Sequence, residues 1–192
     1  KEAVNFFFKG GTALHLVLGS PRFSEDLDFT ARTYDCRLFE DLLNQTLIFL
    51  EEAGLKVKIV ESKPTTGGCL AIFSATGDGF STRIQVEISL RTPKNVNGES
   101  YLVTNEFMPP FEVQTVEKSA LVTGKVEALL ARKKPRDFYD LYFMLRNRMI
   151  TGLTAEKRQL IINEIKKLNH QQLARELKQF LPRSHRLIFN DL

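Results

Sequence analysis

Arg22-Phe23-Ser24-Glu25-Asp26-Leu27-Asp28-Phe29-Thr30, preceded by Phe6-Phe7-Phe8-Lys9-Gly10-Gly11-Thr12-Ala13-Leu14, is the stretch on which the fold turns. Asp26 and Asp28 flank Leu27 at the start of what reads as a strand. A strand's period of two sends both carboxylates to one face and Leu27 and Phe29 to the other. Neighbouring carboxylates repel one another, so a fold that keeps both supplies a cation. Mg²⁺ suits an incomplete cage of oxygens, because it retains waters and takes phosphate oxygens as well. A lone Asp-x-Asp is equally the mark of an acid-solubilised strand edge, and it needs company to mean more.

That company stands on both sides. Upstream, Lys9-Gly10-Gly11-Thr12 joins a short apolar strand at Phe6 to Phe8 to a helix over 12–18, ended by Gly19-Ser20-Pro21. Paired glycines let the backbone approach a ligand closely, and a helix start offers free N–H groups to an anion. The spacing is neither a Walker A loop nor a dinucleotide fingerprint. Downstream, Ile84-Gln85-Val86-Glu87-Ile88-Ser89 alternates apolar and polar residues, which puts Glu87 on the polar face of a strand that reads as central. Two acids from one strand and a third from another can hold two divalent ions that clamp the attacking and leaving oxygens of phosphoryl transfer. The competing reading pairs Glu87 with Arg83 or Arg91 on the same face.

Outward from these motifs the chain divides in two. Phe39, Leu42, Leu43, Leu47 and Leu50 fall at helical spacing, and Gly54 closes that helix. Strands are expected at 55–61, 70–75 and 83–91, separated by Gly67-Gly68 and Gly77-Asp78-Gly79 turns. A loop with Pro93, Asn95, Asn97 and Gly98 leads on to Pro109-Pro110. From Glu117 the period becomes helical. Val126, Leu129 and Leu130 form one stripe, and Pro135 opens a helix carrying Phe138, Leu141, Tyr142 and Leu145. Helices at 155–168 and 171–180 follow. The fold class is therefore α/β of the α+β kind, with a mixed-sheet portion over 1–115 and a helical portion over 116–192.

Charge follows the same division. The 192 residues carry a net +4, made of −4 over 1–115 and +8 over 116–192. A basic half suits an anionic partner such as RNA, met through phosphates, although a basic helical surface also serves solubility. No apolar run approaches the roughly 20 residues that span a bilayer, so no membrane role is expected. Cys36 and Cys69 stand 33 positions apart with no Cys-x-x-Cys pair. Neither a disulfide nor a zinc site is expected from that spacing, and a reducing cytoplasm fits it. The chain opens on Lys1 without the shape of a signal peptide, and a natural start upstream is expected.

The run Phe8-Lys9-Gly10-Gly11-Thr12-Ala13-Leu14 followed by Arg22-Phe23-Ser24-Glu25-Asp26-Leu27-Asp28-Phe29 resembles the AbiEii/AbiGii toxin nucleotidyltransferases of the DNA polymerase β-like superfamily. Lys125, Arg132 and Arg136-Asp137-Phe138-Tyr139-Asp140-Leu141 are similar to that family's lysine-bearing helix and the segment after it. The resemblance covers about residues 6–145 and implies a polymerase-β-like catalytic core. It implies that Asp26, Asp28 and Glu87 bind two Mg²⁺ ions, and that Lys9, Gly10, Gly11, Thr12, Arg22, Ser24 and Lys125 face an NTP. Lys125 and Asp137 join the three acids as catalytic residues.

Lys133, Arg136, Asp137 and Asp140 recur at helical spacing opposite the apolar stripe, which reads as an open charged face. A cation brought from it to the metal pair would offset charge on the triphosphate. Arg132, Lys133, Lys134 and Arg136 are the expected RNA contacts. The implied partners are an RNA acceptor, the tRNA 3′ end, and a cognate antitoxin. A small-molecule nucleotidyltransferase of the antibiotic-modifying type, or a binding module with a decayed site, are the alternatives.

Overall fold

The computed structural model describes residues 6–31, 36–89 and 97–189. They form two compact units, one from Lys1–Ala13 and Glu25–Glu117 and one from Leu14–Ser24 and Lys118–Leu192. The stretch 14–24, which the sequence alone keeps with the front portion, thus belongs to the helical unit.

The first unit is built on seven strands: β1 (Phe6–Lys9), β2 (Leu27–Ala31), β3 (Lys56–Thr65), β4 (Gly68–Gly77), β5 (Phe80–Ser89), β6 (Gly98–Val103) and β7 (Phe111–Val116). Their order across the sheet is β3-β4-β5-β2-β1-β7-β6. The sheet is mixed. β2 runs antiparallel to β1 but parallel to β5, and β1 runs parallel to β7. β5 lies between β4 and β2, the central position that its alternation implies. Its expected end at Arg91 falls outside the described residues.

One sheet face is closed by α2 (Cys36–Glu52), whose Phe39, Leu43 and Leu47 recur every fourth residue and are buried. They pack with Ala31, Cys69, Ala71, Phe73 and Ile88. Each large side chain removed from water there contributes about 1.5–3 kcal/mol. Phe6 on β1, Phe29 on β2 and Val86 on β5 pack against the same cluster, and because side chains alternate, the residues at the intervening positions of these strands are turned to the opposite face.

Two expectations change here. The segment after Asn97, read as loop, contains the β6–β7 hairpin. Pro109-Pro110 is confined to its connection, where Asn105 accepts hydrogen bonds from the Phe107 and Met108 amides. Strands of six residues hold their shape only through their neighbours, here β6 on β7 and β7 on β1, and a local reading dominated by Pro and Asn does not register that.

Cys36 and Cys69, expected to remain thiols, are joined in a disulfide that ties the start of α2 to β4, with their Cα atoms 6.7 Å apart. Sheet pairing and helix packing bring them together, which spacing along the chain cannot reveal.

The second unit comprises α3 (Lys118–Arg132), α4 (Pro135–Arg146), α5 (Ala155–Ile165) and α6 (His170–Leu177), with a 3-10 turn at Arg183–Phe189. Thr154 and Asn169 cap α5 and α6, each side chain accepting from a backbone amide three residues on. The stretch 14–24 is fastened within this unit, where the Phe23 amide donates to the Phe180 carbonyl at 2.8 Å. His15 uses Nδ1 on the Ser20 carbonyl and lies edge-on to Phe23.

Candidate active site

Strand register assembles the acidic site. Lys9 on β1 stands opposite Asp28 on β2, and Asp28 stands opposite Glu87 on β5. Residues opposite one another across adjacent strands share a face, and in an antiparallel pair such as β1 and β2 their Cβ atoms stand about 4.5–5.5 Å apart. Lys9, Asp28 and Glu87 therefore form one row on the face turned away from α2. Asp28 is half-buried, Glu87 is exposed, and Asp26 sits half-buried in the turn that leads into β2. Glu87 makes no ion pair with Arg83; Arg91 lies outside the described residues.

Gly10 follows Lys9 directly and opens α1 (Gly10–Leu16), so β1 turns into a helix without a linker. Its φ is +82°, in the region that favours glycine. A Cβ built there would overlap Asp28 Oδ2 and lie 2.8 Å from the Asp28 Cβ. The Asp28 side chain thus occupies the space that a side chain at position 10 would need. Thr12 braces the same corner, its hydroxyl donating to the Asp26 carbonyl at 2.5 Å. Gly11 and Thr12 are buried in the first turn of α1.

Burial lowers the Lys9 pKa below the usual lysine value, while the negative charges of Asp28 and Glu87 act to raise it. Among the described residues no three His, Cys, Asp or Glu side chains converge as a ready-made metal cage. The acids at this corner fit Mg²⁺ in donor type and number, since that ion takes one or two carboxylates and completes its shell with water and phosphate.

The other expected site residues lie in the helical unit, and Arg22, Lys125, Arg132, Lys133 and Asp137 are engaged there by partners of opposite charge. The open charged face expected on α4 is largely interior. Asp137 and Asp140 are each 1% exposed and Lys125 is 8% exposed, so this ion-pair cluster is buried. Asp140 takes a bidentate pair from Arg22, at 2.7 Å to Nε and 3.1 Å to Nη2. The Lys125 ammonium donates to the same carboxylate at 2.8 Å. Asp137 accepts from Arg132 at 2.7 Å and, as the third residue of α4, from the Lys134 amide at 3.3 Å. The physical reason is that α4 is packed on several sides, burying Phe138, Tyr139, Leu141, Phe143 and Met144 as well.

Arg132 and Lys133 also have anionic partners, Asp137 and Glu164. Lys134 is exposed and Arg136 half-buried at the start of α4, while Ser24 is half-buried at the end of the stretch 14–24. The pivotal residue that the sequence underrated is Asp140. Its recurrence three residues after Asp137 was visible, but its two cationic partners were not.

The chain matches, over residues 1–189, the family described as "Nucleotidyl transferase AbiEii toxin, Type IV TA system". Its fold is similar to that of a candidate nucleotidyltransferase from H. pylori, with a TM-score of 0.59 at 19% identity, over 98% of this chain and 84% of that one. A second solved structure, JHP933 from Helicobacter pylori, aligns at a TM-score of 0.49 and 23% identity, over 93% of this chain and 67% of that one. No curated protein matches the sequence. The family match spans almost the whole chain and takes in both the glycine turn and the acidic strands, so the chain belongs to the AbiEii nucleotidyltransferase toxins of type IV toxin–antitoxin systems.

Proposed function

We propose that this nucleotidyltransferase requires Mg²⁺ and moves a nucleoside monophosphate from an NTP to a hydroxyl of RNA, at the tRNA 3′ end. The observation that carries the reading is the row Lys9, Asp28 and Glu87 across three adjacent strands, beside a glycine that leaves room for nothing but Asp28. In the reaction the acceptor oxygen bonds to the α-phosphorus, the bond from that phosphorus to the pyrophosphate oxygen breaks, and pyrophosphate leaves. Asp26, Asp28 and Glu87 are the residues we assign to Mg²⁺, with two ions as the resemblance implies. Bound there, the metal would offset the triphosphate charge and favour ionisation of the acceptor hydroxyl.

Glu87, the most exposed of the three acids, is our candidate to accept the hydroxyl proton. Lys9, Gly10, Gly11 and Thr12 are assigned to the triphosphate. Arg22, Lys125, Asp137 and Asp140 are assigned to holding the helical unit in shape, since each is buried against a partner of opposite charge. Lys134 and Arg136 are our first candidates for RNA phosphates, because no ion pair within the described residues engages them, with Arg132 and Lys133 beside them.

A type IV system implies a cognate antitoxin, and we assign the reaction to the cytoplasm because the NTP and tRNA proposed as its substrates are available there. No helix among the described residues is long and apolar enough to cross a membrane. The test is incubation with each labelled NTP, Mg²⁺ and total RNA, resolved on a gel. Label on tRNA, lost when Mg²⁺ is chelated, supports the reading. Label confined to small hydroxyl compounds would replace the RNA acceptor with a small molecule, and transfer undiminished by chelation would remove the metal.

A further inference from the structure

Within the second unit α4 packs against α6, and a notch of about 200 Å³ opens between them. Lys134, Pro135 and Arg136 line it at the start of α4, and Glu176, Leu177 and Phe180 line it from α6 and the turn that follows. Lys134 is exposed and Arg136 half-buried, and among the described residues no ion pair engages either. Leu177 is buried, whereas Pro135 and Phe180 are half-buried, so an aromatic residue of the lining still meets solvent. We propose that this notch binds one unpaired nucleotide of the RNA acceptor, with the base on Phe180 and Pro135, the adjoining phosphates on Lys134 and Arg136, and an exocyclic amine of the base on Glu176. The inference rests on the reading of the acceptor as RNA and deepens it, from a basic surface to a site for a single strand.

Size and composition both support it. A cavity of about 150 Å³ admits benzene, so this notch has room for one planar base. Cations alone suit any polyanion, and the net +8 over 116–192 draws RNA of every form. The other lining residues discriminate. Unpaired bases are held by stacking on aromatic side chains and by hydrogen bonds at their edges, whereas a duplex hides both and presents its phosphates. Glu176 accepts from the Gln172 side chain at 3.0 Å, and a carboxylate has lone pairs for further donors. The amine of cytosine is such a donor, and so is that of adenine. Uracil carries no amine and would turn a carbonyl oxygen towards the carboxylate. An acidic peptide would meet Glu176 as a like charge and has no planar group for Phe180.

Fluorescence anisotropy on the intact chain, with short labelled oligonucleotides, tests the site. Oligocytidylate and oligoadenylate should bind about tenfold more tightly than oligouridylate, the scale of one good base contact. Phe180→Leu keeps an apolar side chain without the ring, and it leaves intact the bond from the Phe23 amide to the Phe180 carbonyl. It should weaken single strands by about tenfold, within what one stacked base contributes, and leave duplex RNA unchanged. Phe180→Tyr restores the ring and should restore the affinity. Glu176→Gln gives uracil a donor for its carbonyl and should erase most of the preference against oligouridylate, which decides the matter if Phe180→Leu does not fold. Equal affinity of the wild type for the three oligonucleotides, or a folded Phe180→Leu protein that binds single strands as tightly as wild type, overturns the nucleotide site and leaves RNA standing as the acceptor. RNA bound by no form of the protein overturns the acceptor reading and this site with it.

Discussion

Gly10→Ala separates two costs that glycine substitutions usually confound. The first is conformational. Alanine at a φ of +82° pays for a left-handed backbone, about 1–2 kcal/mol. The second is steric, because the new Cβ would overlap Asp28 Oδ2 and stand 2.7 Å from its Cγ. Contacts this short reach to the root of the Asp28 side chain, so a simple swing of the carboxylate does not relieve them. Asp28 must move by on the order of 1 Å, a misplacement that can cost about 10²-fold in rate. Overpacking adds about 1–3 kcal/mol to the stability loss.

Gly79→Ala is the matched control. Its φ is +80°, but nothing lies within 4 Å of the built Cβ. It should lose only the backbone share of stability, at about 2–4 °C of melting temperature per kcal/mol for a chain of this size, and keep full activity. Transfer of labelled nucleotide and a thermal melt on both variants decide the matter. A folded Gly10→Ala protein with at least about half the wild-type rate would refute the reasoning, since Asp28 would then be either indifferent to a displacement of that order or not part of the chemistry.

Asp140→Asn removes the charge that Arg22 and Lys125 share while keeping its shape. Two buried cations without their anion should cost about 3–5 kcal/mol in a urea titration, and an unchanged midpoint would mean that the cluster is solvated in solution. Reducing the Cys36–Cys69 disulfide, which closes a separation of 33 residues, should lower stability by about 3–4 kcal/mol; identical melts with and without dithiothreitol would show that it contributes nothing. Lys134→Glu with Arg136→Glu should weaken RNA binding and reduce its dependence on salt by roughly 0.7–0.9 in the logarithmic slope for each phosphate no longer neutralised, with NTP affinity unchanged. An unaltered slope in filter binding would move the acceptor elsewhere.

By itself the sequence determined the local grammar of the protein. Period-two alternation fixed which face of β2 carries Asp28 and which face of β5 carries Glu87, because that depends on neighbours two residues away, whereas Asp26, read as part of the same strand, lies in the turn before it. The Lys9-Gly10-Gly11-Thr12 turn and the helix opened by Pro135 were legible for the same reason, and so was the change from strands to helices near Glu117. Tertiary structure decided what depends on partners distant in the chain. Pairing of β1 with β2 and of β2 with β5 is what set Lys9, Asp28 and Glu87 in one row, a matter of register that no single strand encodes.

The β6–β7 hairpin exists because β1 offers β7 an edge, and the disulfide because α2 lands on β4. Asp140 looked like one acid on a charged helix face. It became the centre of a buried cluster because Arg22, 118 residues away in the chain, and Lys125, 15 residues away, both reach its carboxylate once α4 is packed on more than one side. A helical period reports that a face is polar. Whether that face meets water or two cations is settled only when the rest of the chain has folded around it.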